Sequence, residues 1–179
     1  MSDSSDRPDP NAARDEAAMD AVPDDGRLMG LDYGTVRVGV AVSTPEQSIA
    51  SPFENYTRRG EKADARFLKE TADENRIVGI VVGLPRHTGG EEGTKAAEAR
   101  AFGKWVGEVT GRPVCFWDER FTSSVAEDYL RDAGVPWHRR KERLDMLAAQ
   151  IMLQSFLDRR RHQAEQVDEP GDEDSAAQP

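Results

Sequence analysis

Four acidic residues stand where folding could bring their carboxylates together. Asp32 lies in an apolar stretch near the end of one predicted strand, and Asp118 and Glu119 follow another. Asp145 comes later, just after a run of basic residues. Because an isolated buried charge costs many kcal/mol, a carboxylate such as Asp32 must be hydrated, paired or bound to a metal ion. These residue types therefore predict divalent-cation chemistry.

Carboxylates that converge repel one another unless a counter-ion lies between them. Two Mg²⁺ or Mn²⁺ ions about 4 Å apart supply that charge and hydrolyse phosphodiesters, one by activating water and the other by stabilising the leaving oxygen. Oxygen ligands suit such hard cations, and no cysteine–histidine spacing suggests zinc. We therefore predict that Asp32, Asp118, Glu119 and Asp145 are the catalytic and metal-binding residues.

Each of these acids also has a purely structural interpretation. Asp32 could be a turn residue that accepts hydrogen bonds from the Gly-Thr backbone after it. Asp118 or Glu119 could pair with Arg120, because adjacent strand residues point to opposite faces. Asp145 could be a first-turn helix residue stabilised by the helix dipole. The sequence leaves open these alternatives, and also which of Asp118 and Glu119 would be the metal ligand.

The strands that would position the acids follow from hydrophobic periodicity. Alternating valines after Gly34 predict a hairpin, in which Gly34 can take positive φ. A third strand contains Pro52, which suits an edge position. The apolar run 76–83 and the strand 113–117 are typical of buried parallel strands. Because ligand sites lie at the carboxyl ends of such strands, Asp32, Asp118 and Glu119 are well placed.

Helices are predicted between and after these strands, over 61–75, 94–109, 123–133 and 143–161. The order of elements predicts an α/β fold with a mixed five-stranded sheet of order 3-2-1-4-5 and helices on both faces. The helix residues expected to face the core are Ala63, Phe67, Leu68, Thr71, Ala97, Ala101, Trp105, Val109, Leu144, Leu147, Ala148, Ile151, Phe156 and Leu157.

Charge is distributed unevenly along the 179 residues. Residues 1–26 and 163–179 are acidic and poor in apolar residues, so both are predicted to be disordered tails around one domain, residues 27–162. The two tails together carry a charge of −12, so within the net charge of −10 the domain itself is slightly basic, at +2. No signal peptide or membrane-spanning stretch is evident, and the single cysteine allows no intrachain disulfide, which favours a cytoplasmic protein.

Basic residues near the predicted site suggest a polyanionic substrate. Phosphate contacts position a nucleic acid without reading its sequence. Trp137, within the densest basic run, could stack on an unpaired base or could instead be a hydrophobic plug. The candidate phosphate contacts are Arg37, Arg86, Arg120, Arg139, Arg140, Lys141 and Arg143.

Four segments in unbroken order resemble the YqgF/RuvX family: residues 31–43, 80–85, 118–123 and 144–157. The resemblance covers roughly residues 27–160 and implies a ribonuclease H-like fold related to RuvC-type Holliday junction resolvases. It implies a nuclease that matures the 5′ end of the small-subunit ribosomal RNA precursor, or one that resolves four-way DNA junctions. It also implies that Asp32 is a bridging metal ligand, with Asp118 or Glu119, or both, as the second acid and Asp145 as the third.

Two other classes of protein remain as alternatives. A ribonuclease H-like domain could grip nucleic acid without cutting it. Sugar kinases and actin-like ATPases also have an Asp-x-Gly-Thr hairpin, but they need two domains around the nucleotide and this chain has the length for one. We expect a metal-dependent hydrolase acting on structured RNA or branched DNA, as a monomer or a homodimer and without membrane contact.

Overall fold

The computed structural model describes residues 21–85, 93–118 and 137–167, except for the side chains of 137–146 and of residue 167. Within these residues, three strands come first along the chain, and helices and the two remaining strands then alternate. The predicted helix over 123–133 lies outside the described residues. The elements are β1 (Arg27–Tyr33), β2 (Arg37–Ser43), β3 (Ala50–Thr57), α1 (Glu61–Glu74), β4 (Ile77–Leu84), α2 (Thr94–Thr110), β5 (Val114–Asp118) and α3 (Trp137–Val167).

The strands form one sheet in the order β3-β2-β1-β4-β5, which confirms the predicted topology. β1 pairs antiparallel with β2, and β2 pairs antiparallel with β3. β4 lies parallel to β1 on the other side, and β5 lies parallel to β4. The carboxyl ends of β1, β4 and β5 therefore meet at one edge of the sheet, the carboxyl edge, where Asp32 and Asp118 lie.

Helices cover both faces of the sheet, as predicted. On one face, here called the α1–α2 face, Leu31 and Ile80 of the sheet pack with Leu68 of α1 and Val106 of α2. On the opposite face, the α3 face, Leu28, Val81 and Cys115 pack with residues of α3. Burying each large apolar side chain contributes about 1.5–3 kcal/mol to folding. The two clusters together hold the sheet between its helical layers.

The faces predicted for α1 and α2 are partly wrong. In α1, Ala63 is exposed and Asp64 is buried in its place. In α2, Ala97 and Ala101 are exposed, and Trp105 and Val109 are only partly buried. Alanine fits a buried or an exposed helix position equally well, so the alanine-rich sequence of α2 does not determine the face. The residues that α2 buries are Ala96, Ala99, Phe102, Gly103, Val106 and Thr110.

Helix α3 is longer than predicted, and the face that it buries differs slightly from the predicted one. It begins at Trp137 and not at residue 143, since Arg, Lys and Glu are good helix formers and give no stop signal. Phe156 and Leu157 are buried as predicted, whereas Leu147, Ala148 and Ile151 are only partly buried and the side chain of Leu144 lies outside the described residues. The other residues that α3 buries are Ala149, Met152 and Leu153.

Close packing of α3 on β1 depends on Gly30. A Cβ atom at Gly30 would lie 2.8 Å from Cβ of Leu153 and 3.3 Å from the carbonyl oxygen of Ala149. Normal carbon–carbon contacts are about 3.5–4.0 Å. Only glycine at this position lets the helix backbone rest directly on the strand, two residues before Asp32.

Helix α3 also forms hydrogen bonds with the edge strand β3 and the residues just before it. The side-chain oxygen of Gln154 accepts a hydrogen bond from the N–H of Ala50 at 2.8 Å, and its amide nitrogen donates to the carbonyl of Ser48 at 3.1 Å. Gln150 donates to the carbonyl of Ala50 at 3.0 Å. Two glutamines thus satisfy backbone groups that an edge strand leaves unpaired.

The segment before β1 is held by the last turns of α3. Val22, placed by sequence in the N-terminal tail, is 2% exposed and belongs to the core on the α3 face. Arg160 donates hydrogen bonds to the carbonyls of Val22 and Pro23 and forms an ion pair with Asp24. Across the part of the chain that the structure describes, no helix is both long and apolar enough to span a membrane.

Candidate functional site

Asp32 lies inside β1, not in the turn that follows it. It is the second-last residue of the strand, and it pairs in register with Gly39 of β2. Leu28 packs on the α3 face and Gly30 contacts α3, so strand alternation places Asp32 on the α3 face as well. The carboxylate is partly exposed at the carboxyl edge. This position suits an acid that meets a ligand from solvent.

A depression of about 380 Å³ opens beside Asp32, and Arg37, Gly39 and Asn55 also line it. Gly39 pairs with Asp32 on one side and with Asn55 on the other. The three residues therefore form a row across β1, β2 and β3, in which glycine leaves space between a carboxylate and an amide. Two interstrand spacings separate Asp32 from Asn55, about 10 Å between their backbones.

Asn55 was not predicted to be a site residue. Its position depends on an irregularity in the β2–β3 pairing between Val40 and Ala41, which shifts the register. A bulge of this kind cannot be located from alternation alone. The available signal was Asn55 itself, because an amide in a strand is unusual and calls for a polar partner.

The β1–β2 turn requires glycine at position 34 for a steric reason. Gly34 is not among the glycines with positive φ, so the turn does not use that freedom of glycine. A Cβ atom there would lie 2.5 Å from the carbonyl oxygen of Arg37. The missing side chain allows the turn to close tightly, and the closed turn forms one wall of the depression.

Of the adjacent acids Asp118 and Glu119, the structure describes only Asp118. It ends β5 in register with Leu84, at the same edge as Asp32. However, Cys115 and Trp117 pack on the α3 face, so strand alternation assigns Asp118 to the α1–α2 face, opposite Asp32. The structure therefore brings Asp32 and Asp118 to one edge of the sheet but not to one face. Glu119 lies outside the described residues.

Asp145 lies within α3, and its side chain is outside the described residues. Because the helix begins at Trp137, Asp145 is in its third turn, where the helix dipole does not favour an acid. The residue is one turn, about 6 Å, before Ala149. The Ala149 carbonyl lies against Gly30, two strand residues before Asp32. The backbone thus directs this turn of α3 toward the carboxyl edge.

Of the predicted phosphate contacts, Arg37 is described, and it is exposed beside Asp32 in the depression. Arg86 and Arg120 lie outside the described residues. The densest basic run, most of which was predicted to precede the last helix, forms the first turns of α3. Its side chains lie outside the described residues. That run contains Trp137, Arg139, Arg140, Lys141 and Arg143.

A divalent cation fits the chemistry of the predicted donors. Asp32 offers carboxylate oxygens at a solvent-accessible edge, and the single cysteine is buried in β5. Such oxygen donors suit Mg²⁺ or Mn²⁺. Among the described residues, no three His, Cys, Asp or Glu side chains lie close enough together to hold a metal ion. The remaining predicted ligands, Glu119 and the Asp145 side chain, are outside that part of the structure.

An aromatic and ionic cluster supports β1 from the other face. The ring of Tyr33, next to Asp32, lies 4.9 Å from that of Phe102, and the Arg58 guanidinium lies 5.6 Å from the centre of the Tyr33 ring. Arg58 also forms an ion pair with Asp64 at 3.0 Å. Although its partial burial opposes the charge, hydrogen bonds with Asp64 and Tyr33 raise the pKa of Arg58.

Asp64 is the centre of this cluster. Its carboxylate accepts hydrogen bonds from the Tyr56 hydroxyl at 3.1 Å and from the Arg59 N–H at 2.9 Å, in addition to Arg58. Burial alone would raise the pKa of Asp64, but these three donors outweigh burial and lower it. Burial and the neighbouring carboxylate raise the pKa of Tyr56. Asp64 therefore remains ionised and joins the start of α1 to the end of β3.

Comparisons with known proteins identify clear relatives. A family model described as "RuvX: Holliday junction resolvase" matches residues 26–159. A protein of Rhodopirellula baltica named "Putative pre-16S rRNA nuclease" is 41% identical over 148 residues, which are 83% of this chain and 86% of that protein. A protein of the same name from Cereibacter sphaeroides is 45% identical over 146 residues, 82% of this chain and 91% of the relative.

Solved structures give a more distant likeness. RuvC of Thermus thermophilus, in complex with a Holliday junction substrate, aligns with a TM-score of 0.47 and 16% sequence identity. The alignment covers 76% of this chain and 96% of RuvC.

Proposed function

The chain belongs to the RuvX family and has a ribonuclease H-like fold, and from this premise we propose that it is a nuclease that processes the 5′ end of pre-16S ribosomal RNA. The observation that carries the proposal is the 41–45% identity to relatives named for this activity, across more than four fifths of the chain. Such a substrate places the activity in the cytoplasm.

Asp32 is proposed as the central metal ligand, since it lies at the end of the middle strand and faces α3. Glu119 is favoured over Asp118 as the second acid, because strand alternation assigns Asp118 to the face opposite Asp32. Asp145 is the proposed third acid, supported by its place in the third turn of α3. Two bound Mg²⁺ or Mn²⁺ ions would supply an activated water and stabilise the leaving oxygen.

The described residues around Asp32 suggest how a phosphate would be held. Arg37 is an exposed cation at the rim of the depression and can bind a non-bridging phosphate oxygen. The Asn55 amide, across Gly39 from Asp32, can donate a hydrogen bond to the same strand of RNA. Both contacts orient the phosphodiester relative to the Asp32 carboxylate without reading the base sequence.

Resolution of Holliday junctions is the second candidate function, favoured by the description of the matching family model. A carboxylate–metal site can hydrolyse an RNA or a DNA backbone. Junction resolution would favour a dimer, since two strands must be cut, whereas trimming of RNA requires only a monomer.

Cleavage assays on two labelled substrates test the proposal: a pre-16S rRNA leader and a four-way DNA junction. Each is incubated with Mg²⁺, Mn²⁺ or EDTA. We expect metal-dependent cutting of the RNA, lost in Asp32→Asn and retained in Asp73→Asn, a matched change at an exposed residue of α1. Glu119→Gln should lose more activity than Asp118→Asn. Cutting of the junction alone would favour the second function, and metal-independent binding without cutting would indicate a non-catalytic binding module.

A further inference from the structure

A group of basic residues lies at the β3–α1 connection, and no function was predicted for these residues from the sequence. A cavity of about 440 Å³ there is lined by Arg59, Lys62 and Arg66, with Glu70 as its only acidic lining residue. Its other lining residues are Tyr56, Ala63 and Phe67. We call the three cations the basic corner.

The rings beneath the basic corner are fixed in place. Tyr56 and Phe67 stack with their centres 3.9 Å apart and their planes 4° from parallel. Tyr56 is 5% exposed, and its hydroxyl donates to Asp64. The cavity therefore has a rigid apolar floor beneath a charged rim.

The buried acid beside this rim does not neutralise its cations, because its carboxylate is turned inward. Asp64, 2% exposed, uses its carboxylate for the Arg58 guanidinium, the Tyr56 hydroxyl and the backbone N–H of Arg59. Among the described residues, Arg59 and Lys62 form no ion pair through their side chains. The cluster thus stabilises the corner while leaving its cations facing solvent.

Arg66 is only weakly committed to Glu70. Their charged atoms are 3.8 Å apart, and the side chains are 79% and 64% exposed. Exposed pairs of this kind contribute about 0.3–0.5 kcal/mol, which a phosphate can readily compete with. All three cations are therefore available to an external polyanion.

The basic corner adjoins the depression that holds Asp32. The backbone N–H of Arg58 donates to the Val36 carbonyl at 3.0 Å, which ties the end of β3 to the β1–β2 turn. Arg37 pairs with Thr57, only two residues before Arg59. Exposed cations thus run from Arg37, at the depression, around the edge strand β3 to α1.

We propose that Arg59, Lys62 and Arg66 bind the phosphate backbone of the RNA substrate outside the cleavage site. The proposal rests on the proposed nuclease function, which supplies a polyanionic RNA long enough to reach both places. The corner offers three cations above an apolar floor, and contacts from cations to phosphates hold RNA without regard to its sequence. It adds to the substrate contact made by Arg37.

The test compares the full-length variant Arg59→Gln/Lys62→Gln/Arg66→Gln with a matched control, Arg76→Gln/Lys95→Gln/Lys104→Gln. The control removes three exposed cations from other parts of the molecule. Binding of a fluorescent pre-16S rRNA leader is measured as Kd over a range of salt concentrations, in EDTA so that no cutting occurs. Circular dichroism and thermal melting check that both variants fold.

Three lost phosphate contacts should lower the slope of log affinity against log salt by about 2 and raise Kd by about tenfold to a hundredfold at 0.1 M salt. The control should stay within about twofold of the wild type. Cleavage at saturating RNA should be unchanged, because the corner contains no catalytic acid.

Equal affinity of the variant and the wild type would overturn the proposal, as would an equal loss in the variant and the control. If RNA binding depends on the corner but the protein cuts no RNA, the RNA-binding surface is supported and the nuclease function is rejected. Cutting together with a Kd for RNA that is unchanged in the corner variant would keep the nuclease and reject the surface.

Discussion

Substitution of Gly30 by alanine should damage activity more than stability. The added Cβ would meet Cβ of Leu153 at 2.8 Å, so α3 must move away from β1 by about 1 Å to restore a normal contact. Overpacking of this kind costs about 1–3 kcal/mol. At about 2–4 °C per kcal/mol for a domain of this size, the melting temperature should fall by about 2–12 °C.

The same displacement would move the turn of α3 that carries Asp145 relative to Asp32. A shift of about 1 Å between catalytic groups can reduce turnover by about 100-fold. Affinity for Mn²⁺, measured by calorimetry, should fall in parallel, because the carboxylates proposed to share the metal would be separated.

Gly79→Ala is the matched control. Its added Cβ would lie 2.9 Å from Cβ of Val22, a clash of similar size, but near the amino end of β4 and away from the carboxyl edge. We expect similar destabilisation in urea and nearly normal cleavage. Both variants are assayed well below their melting temperatures. If Gly30→Ala cleaves RNA and binds Mn²⁺ as well as Gly79→Ala does, the seating of α3 on Gly30 does not set the geometry of the site.

Three further changes test contacts that hold the fold. Asp64→Asn should cost about 1–3 kcal/mol at neutral pH, because the partly exposed Arg58 loses its ionised partner. Since folding lowers the pKa of Asp64, its contribution exists above the ordinary value of 3.8 and is lost as pH falls through the lower folded-state pKa. Urea titrations should therefore converge with those of the wild type in acid, and a difference independent of pH would contradict this. Gln154→Ala should cost about 1–3 kcal/mol by leaving the edge of β3 unpaired, and an unchanged urea midpoint would show that water replaces the amide. Arg160→Ala should speed proteolysis near residues 22–24 without altering RNA cleavage, and unchanged digestion would argue that Val22 and Gln47 hold the segment without it.

The sheet could be predicted because its strands carry distinct patterns. Alternation around Gly34 identifies the hairpin, the unbroken apolar run of β4 identifies a central parallel strand, and Pro52 marks an edge. Such patterns repeat over many residues, so they survive an error at any one position. The order β3-β2-β1-β4-β5 follows from them.

The helix faces were harder to predict, because few residues decide them. In α2, alanines occupy both buried Ala96 and exposed Ala97, so hydrophobicity does not distinguish the two stripes. The start of α3 was misplaced since its first turns are built of charged residues that favour a helix as much as a loop. Tertiary packing, not local pattern, determines both outcomes.

Part of the site was evident from single residues, and part required the fold. Asp32 was conspicuous as an acid within an apolar strand. Asn55 was not, because its place beside Asp32 depends on register shifts along β2 and β3. The basic corner was also missed: only the structure shows that Asp64 turns inward and leaves Arg59 and Lys62 to solvent.

The closure of the sheet by α3 has a consequence for synthesis on the ribosome. Hydrogen bonds from Gln154 and Arg160 span 106 and 137 residues along the chain, so this face of the sheet is covered only when the end of the domain has been made. Until then, β1 and β2 can pair and collapse on α1, but Leu28 and Ala41 remain exposed on the other face. Contacts between residues so far apart in the chain slow folding, so the apolar surface on this face stays exposed for longer. Nascent chains that stall before α3 emerges should therefore be preferred clients of a ribosome-associated chaperone.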